Sequence, residues 1–374
     1  MMQRSGRKLA RAVGAACLIL SAVLWSGAPS AATFPNLYTA TVDLDPKAPN
    51  PTQAAMRAAM QLVLTRVTGK RDAALDPQLA PLIDHASDYV RSYGQPDRQK
   101  MQVGFIESNV EKQLRALNWP VWGDERPMTL LWIAVDLGNG DRAILSANGT
   151  SPEWSQAMSD YMQGLTDALD QVADERGLPL TLPLMDLQDL NTISFPEIWG
   201  DFDAQILAAS QRYRPDAVLV GRLSVSQFGT RAQWTLLRNG MREVSVGTSL
   251  ADGLNWLADR YADEFSVLGG ARTERIQVRG VDNLADYGRV LTYLEKLSIL
   301  QSVDVDSFDG DVLNLRVTTR GDEAVLRRVL TLGAVLVPAE DSGATAGGGG
   351  NATNTPQAPA VSNRLAFALA RSSG

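Results

Sequence analysis

The chain has 374 residues, of which 45% are hydrophobic and 21% charged. That balance buries sizeable cores and excludes the disordered class. The length corresponds to roughly two or three domains. A formal charge of −7 opposes phosphate backbones and anionic lipid alike, so nucleic acid is not an expected partner.

The first residues carry an address. Arg4, Arg7, Lys8 and Arg11 form a basic head, an apolar run follows from Ala12 to Trp25, and Gly27-Ala28-Pro29-Ser30-Ala31-Ala32 closes it. This pattern reads as a signal peptide over residues 1–32, cleaved after Ala32, and it is too short to serve comfortably as a membrane anchor. Its four basic residues leave with it, so the remainder is more acidic still. Cys17, the single cysteine, lies inside the apolar run. Leu18-Ile19-Leu20 continues that run and Gly14 stands where a lipoprotein signal favours Leu, which argues for ordinary cleavage rather than acylation. The exported chain then has no thiol for catalysis or metal binding. No integral span is expected after processing.

Residues 33–126 read as a small α/β domain. Leu37 to Leu44 has strand character. Thr52 is a candidate N-cap for a helix with Met56, Met60, Val63, Leu64 and Val67 on one face and Gly69 as its C-cap. Met101 to Ile106 gives a second strand. Ser108 and Glu111 have capping-box spacing at the start of a second helix with Val110, Leu114 and Leu117 buried.

Residues 127–269 read as a central α/β domain. Met128 to Val135 is a continuous apolar run, as expected of a strand covered on both faces. A helix is predicted from Pro152 to Arg176, a short edge strand over Leu180 to Leu184, and one helix from Ile198 to Tyr213. Ala217 to Gly221 runs on as a strand toward Ser226. Asn239-Gly240 turns a hairpin between Gln233–Arg238 and Glu243–Thr248. A closing helix carries Leu254, Leu257, Tyr261, Phe265 and Leu268. The alternation favours an open α/β sheet.

Gly269-Gly270 marks a boundary. Residues 273–338 then follow a β-α-β-β-α-β order, the plan of a ferredoxin-like module. Residues 339–374 form a low-complexity tail, read as flexible, around Gly347 to Gly350. At its end, Leu365-Ala366-Phe367-Ala368-Leu369 is either a frayed terminus or a tethered motif that docks on a partner or adds a strand to a sheet edge. The fold class is therefore α/β and α+β, multi-domain.

No catalytic signature assembles in the sequence. His85 is the only histidine and nothing supplies a nucleophile elbow. Gly69-Lys70 lacks the first glycine of a phosphate loop and has Arg71 in place of Ser or Thr. Asp304, Asp306, Asp309 and Asp311 crowd one hairpin with Phe308 where a calcium loop needs its fifth-position ligand. Asp136, Asp141, Asp186, Asp189, Asp201 and Asp203 are the candidates for paired carboxylates in glycan hydrolysis. No cofactor, metal or catalytic residue is assigned. Trp119-Pro120-Val121-Trp122-Gly123 lies at the joint between the first two domains. Its rings either wedge the domains together or stack on a sugar or peptide. Trp119, Trp122, Leu365 and Phe367 are thus the candidate contacts with a ligand or partner.

Three stretches together resemble a known family: Arg57-Ala58-Ala59-Met60 through Leu64-Thr65-Arg66-Val67-Thr68-Gly69, then Leu114 through Trp119-Pro120-Val121-Trp122-Gly123 into Leu131-Trp132-Ile133-Ala134-Val135-Asp136, then Tyr213-Arg214-Pro215-Asp216-Ala217-Val218-Leu219-Val220-Gly221-Arg222. Their order and spacing are similar to those of exported Gram-negative proteins known only as a domain of unknown function, over about residues 33–337. The resemblance implies the periplasm and brings no reaction with it. The middle segment also resembles, at the level of element order alone, small envelope lipoproteins that activate or assemble other machines. The expected function is a non-catalytic periplasmic binding or assembly module with a periplasmic or outer-membrane protein partner. The alternative is a carboxylate-dependent hydrolase acting on cell-wall material.

Overall fold

A computed structural model describes residues 36–138, 140–149, 151, 153–339 and 364–371. The signal-peptide segment and most of the low-complexity tail lie outside these residues. Three sheets organise the described chain, each with its own helices.

The first sheet joins β1 (Thr39–Asp43), β2 (Val90–Gly94) and β3 (Lys100–Phe105) in the order β1-β3-β2, all antiparallel. It packs on α1 (Pro51–Thr68), with α2 (Ala80–Asp84) and α3 (Glu107–Ala116) beside it. Asn50, not Thr52, caps α1: its side-chain oxygen accepts from the Gln53 N–H at 3.2 Å, and Pro51 takes the first helical position, where its missing N–H costs nothing. Met60, Val63, Leu64 and Val67 are fully buried, and Gly69 ends the helix at φ 68°. The expected Ser108/Glu111 box does not form. The helix α3 starts at Glu107 without a side-chain cap, because Glu111 turns inward to other partners.

The second sheet contains β4 (Thr129–Asp136), β5 (Arg142–Ile144), β6 (Leu180–Thr181), β7 (Ala217–Ser226), β8 (Gly229–Arg238) and β9 (Met241–Gly247). Its order is β5-β4-β7-β8-β9, with β6 beside the start of β4. Strand β4 runs parallel to β6 and β7, and the other pairings are antiparallel. The continuous apolar run of β4 has the expected cause. Leu131, Ile133 and Val135 face α4 (Gln156–Arg176) and α8 (Leu250–Phe265), while Leu130, Trp132 and Ala134 face the opposite layer. That layer holds α5 (Leu187–Leu190), α6 (Phe195–Trp199) and α7 (Asp203–Ser210). The single helix expected over 198–213 is thus broken. Asp201 takes φ 65°, a conformation Asp tolerates but a helix does not. The hairpin turn is as expected, with Asn239 and Gly240 both at positive φ. Trp234 lies between two glycines: a Cβ on Gly221 would meet its ring at 2.4 Å and one on Gly253 at 2.2 Å.

The third sheet is built from β10 (Ala271–Arg279), β11 (Leu300–Asp309), β12 (Val312–Arg320), β13 (Leu336–Pro338) and β14 (Arg364–Leu369), with α9 (Leu284–Glu295) and α10 (Glu323–Leu330) on one face. Its order is β11-β12-β10-β14-β13. The end of the tail is therefore neither frayed nor on an edge. Strand β14 sits inside the sheet, parallel to β10 through Ile276↔Leu365 and Val278↔Phe367, and antiparallel to β13 through Leu336↔Leu369. Period-two alternation explains the placement. Leu365, Phe367 and Leu369 all point into the core, and burying them outweighs the entropy of ordering a short strand.

One apolar cluster runs from the α4–α8 face of the second sheet into the helices and strands of the third. The first unit keeps a separate core. A two-way backbone bridge between Val121 and Val267 (Val121 N–H to the Val267 carbonyl at 3.0 Å, and the reverse at 2.8 Å) ties the exit of the first unit to the exit of the second.

Candidate functional site

The joint between the units is charged but buried. Three arginines, Arg66, Arg126 and Arg176, are at most 2% exposed. Arg66, in the last turn of α1, donates to the Asp174 carbonyl at 2.8 Å and carboxylate at 3.0 Å, and to the carbonyl of Thr39 at 2.8 Å. Arg126 makes no ion pair among the described residues. Its guanidinium lies 3.7 Å from the centre of the Trp122 ring and donates to the carbonyls of Arg66, Trp122, Gly123, Arg176 and Gly177. Arg176, at the end of α4, donates to the Gly69 carbonyl at 3.0 Å and to Asp259 at 2.7 Å. The guanidiniums thus satisfy the unpaired carbonyls at two helix C-termini, where positive charge is favoured. Burial still costs: it lowers the pKa of all three, that of Arg126 to about 9. Gly69 sits against α8, where a Cβ would lie 2.3 Å from that of Ala262.

Beside this layer the three units line a small cleft, partly open to solvent, with a volume of about 40 Å³ and walls that include Glu111, Arg115, Val121, Glu125, Ser298 and Arg320. Glu111 accepts from the Tyr38 hydroxyl at 3.0 Å and pairs with Arg115 at 2.8 Å and Arg320 at 3.3 Å. Glu125 accepts from the Ser298 hydroxyl at 2.7 Å and from the Ser298 N–H, with no cation against it. Burial raises the pKa of Glu125, of Asp124 and of Glu107. Asp216 is raised for the same reason, and it links the second and third units by accepting from the Met128 N–H at 2.8 Å and the Gly333 N–H at 2.9 Å. At about 40 Å³ the cleft is well below the roughly 300–1,000 Å³ of a typical ligand pocket, and the side chains around it clasp the three units together.

The sequence candidates fall in different places. Trp122 is fully buried between Arg126 and Tyr261, whose ring stands edge-on at 6.4 Å. Trp119 packs against the core of the first unit and donates to Gln78 at 3.2 Å. Leu365 and Phe367 are core residues of the third sheet. Trp122, Leu365 and Phe367 therefore present no surface to a ligand or partner in this state. His85 is exposed, away from the joint.

Among the described residues the six aspartates come together at most in pairs, each pair bridged by an arginine. Asp136 pairs with Arg142 at 2.8 Å, and Asp141 accepts from Ser155 at 2.5 Å. Asp186 and Asp189 share Arg212 at 2.7 and 3.0 Å. Asp201 pairs with Arg222 and Arg242, and Asp203 with Arg242. The Arg212 hydrogen bond holds the Asp186 carboxyl well below the usual range, the opposite of what a proton donor requires. In the acidic hairpin, Asp306 pairs with Arg316 at 2.5 Å and Asp309 accepts from Ser307 at 3.0 Å.

The open surface is at the sheet edges. Strand β9 ends the second sheet with an unpaired backbone edge along Met241–Gly247. Its charges are drawn back, Arg242 to Asp201 and Asp203, and Glu243 to Arg260 at 2.9 Å. Val244, Val246 (78% exposed) and the neighbouring Phe228 (92% exposed) are left facing solvent. Strand β11 ends the third sheet with Val305 and Phe308 exposed, but between Asp304, Asp306 and Asp309, which guard it.

The buried arginines and glutamates escaped the sequence reading because composition assigns such residues to the surface. One signal was present. Arg66 lies three residues after Val63 and seven after Ala59, on the buried stripe of α1.

No described helix is long and apolar enough to cross a membrane. A crystal structure of a competence-damaged protein (CinA) superfamily protein from Escherichia coli aligns with 41% of this chain and 83% of its own at 14% identity and a TM-score of 0.18, a likeness that supports no inference about fold or function. No curated protein matches the chain. The family match is confined to the first unit: it takes in the Leu64-to-Gly69 stretch and ends at the Trp122-Gly123 wedge, short of the Tyr213-to-Arg222 stretch. Residues 31–123 match the family described as Domain of unknown function (DUF8605).

Proposed function

We propose that the chain is exported to the periplasm of a Gram-negative cell and works there as a non-catalytic binding or assembly module for a periplasmic or outer-membrane protein. The basic-apolar-small pattern of residues 1–32 supports export. The β9 edge carries the binding reading. Natural sheets blunt their edges with free charge, proline or cover. Here the charges of β9 are engaged elsewhere and Val244, Val246 and Phe228 stand exposed along it. An extended segment of a partner would pair with that backbone and set apolar side chains against these residues. We also infer a ferredoxin-like plan for the third unit; the order β11-β12-β10 and then β13, with β14 inserted, supports it.

The test is crosslinking in cells from a photoreactive residue at Val246, compared with the Val244→Lys/Val246→Lys variant carrying the probe at Phe228. The reading expects a discrete neighbour that the double variant loses. The same neighbours from both, or none from either, would remove it. Turnover of purified peptidoglycan that disappears in a single Asp→Asn variant would replace it with the hydrolase.

A further inference from the structure

We propose that the groove between β10 and β13 is a strand-binding site that captures the C-terminal strand of a second copy of this chain, giving a strand-exchanged dimer. Strand β14 is held entirely by what flanks it. Its backbone pairs with β10 on one side and β13 on the other, and the Ala339 N–H donates to the Ala366 carbonyl at 3.1 Å. The Ala370 N–H donates to the Val335 carbonyl at 2.9 Å, and Arg289 donates to the Ala370 carbonyl at 3.0 Å. Leu365, Phe367 and Leu369 fill the core beneath. Each contact is between groove and strand, so a strand of identical sequence from another molecule makes all of them.

The connection permits the exchange. Ala339 and Ala366 are hydrogen-bonded neighbours, so the chain has only to turn back on itself between β13 and β14. A hairpin does that in roughly two to five residues. Residues 340–363 lie between the strands instead, and at about 3.3–3.6 Å per residue they reach on the order of 80 Å, well beyond the groove of their own molecule. A short loop would confine β14 to its own sheet; twenty-four residues have the length to let it reach another. A tether of such length presents its own strand at an effective concentration on the order of millimolar. Self-occupancy therefore dominates in dilute solution, and exchange grows as copies are concentrated toward that range. Reciprocal exchange closes a two-fold dimer with no strand left over.

The register supplies the trap. Val337 and Ala368 are directly opposed in the antiparallel β13–β14 pair, and neither is fully buried. Opposed residues of such a pair lie about 4.5–5.5 Å apart at Cα, within disulfide range. In a Cys17→Ser background, Val337→Cys and Ala368→Cys are made separately in full-length chains with tags of different size, and together in one chain. The double variant is expected to close an intrachain disulfide. The two single variants, mixed and oxidised, are expected to give a covalent heterodimer that neither forms alone and that increases with protein concentration. A closed double variant with no heterodimer at concentrations approaching millimolar overturns the proposal. A double variant that folds but does not close overturns the pairing on which it stands.

Discussion

At the scale of single residues, the joint depends on side chains that satisfy other groups' needs. Arg126 has no carboxylate partner and serves five carbonyls while stacking on Trp122. Lysine offers three donors on a flexible stem and no planar fork. Arg126→Lys is therefore expected to cost about 3 kcal/mol or more in urea unfolding, since buried carbonyls lose their donors. Glu125 makes a second prediction, of the opposite sense. Its folded pKa is raised by burial, so the native state binds the proton more tightly than the unfolded chain. That contribution is present below the unfolded carboxylate pKa and is lost as pH rises through the folded value. Glutamine keeps an acceptor for the Ser298 N–H and removes the titration. The midpoint difference between Glu125→Gln and the parent should therefore move in favour of the variant as pH rises above about 4.3, the ordinary glutamate value, measured by thermal unfolding across pH. Neither role was legible in the sequence. An arginine beside a proline and a glutamate beside an aspartate look like solvated surface, and only the Trp119–Trp122 stretch signalled a joint.

At the scale of elements, legibility followed periodicity. The face of α1, both sides of β4 and the Leu254-to-Phe265 face of α8 could be read from spacing, because their burial is set by the elements' own geometry, while Leu268 lies past the end of α8 and is exposed. The helix expected over 198–213 failed at Gly200-Asp201, where a left-handed residue interrupts an otherwise helical composition. Strand β14 was misjudged for another reason. The alternation of Leu365, Phe367 and Leu369 was plain, but the glycine-rich run before it suggested an end rather than a return. Its neighbours are far away in sequence, and no local pattern records them. Phe367 is completely buried beneath Arg327 and the third-sheet core. Phe367→Ala should cost about 3–5 kcal/mol, and hydrogen exchange should report the loss first in β10 and β13, the strands that flank it.

At the scale of the whole molecule, the three sheets are held by a few tight approaches. Gly69 ends α1 at φ 68°, gives its carbonyl to Arg176 and lies against Ala262 of α8. Gly69→Ala adds a Cβ where there is no room and in a backbone region that alanine disfavours. It should destabilise by about 2 kcal/mol or more and weaken the joint more than the core of either unit. Differential scanning calorimetry would then split one transition into two. The same interlocking predicts that residues 36–126 expressed alone will not unfold cooperatively, since Arg66 and Arg126 would lose their acceptors on α4.

The placement of β14 also orders events in time. A polypeptide is made from its amino end, yet the third sheet has its middle completed by residues 364–369. Until those residues emerge, β10 and β13 have no strand of their own chain between them, however long ago they were synthesised. Closure of that sheet by its own strand is thus a report that the ribosome has read past Leu369.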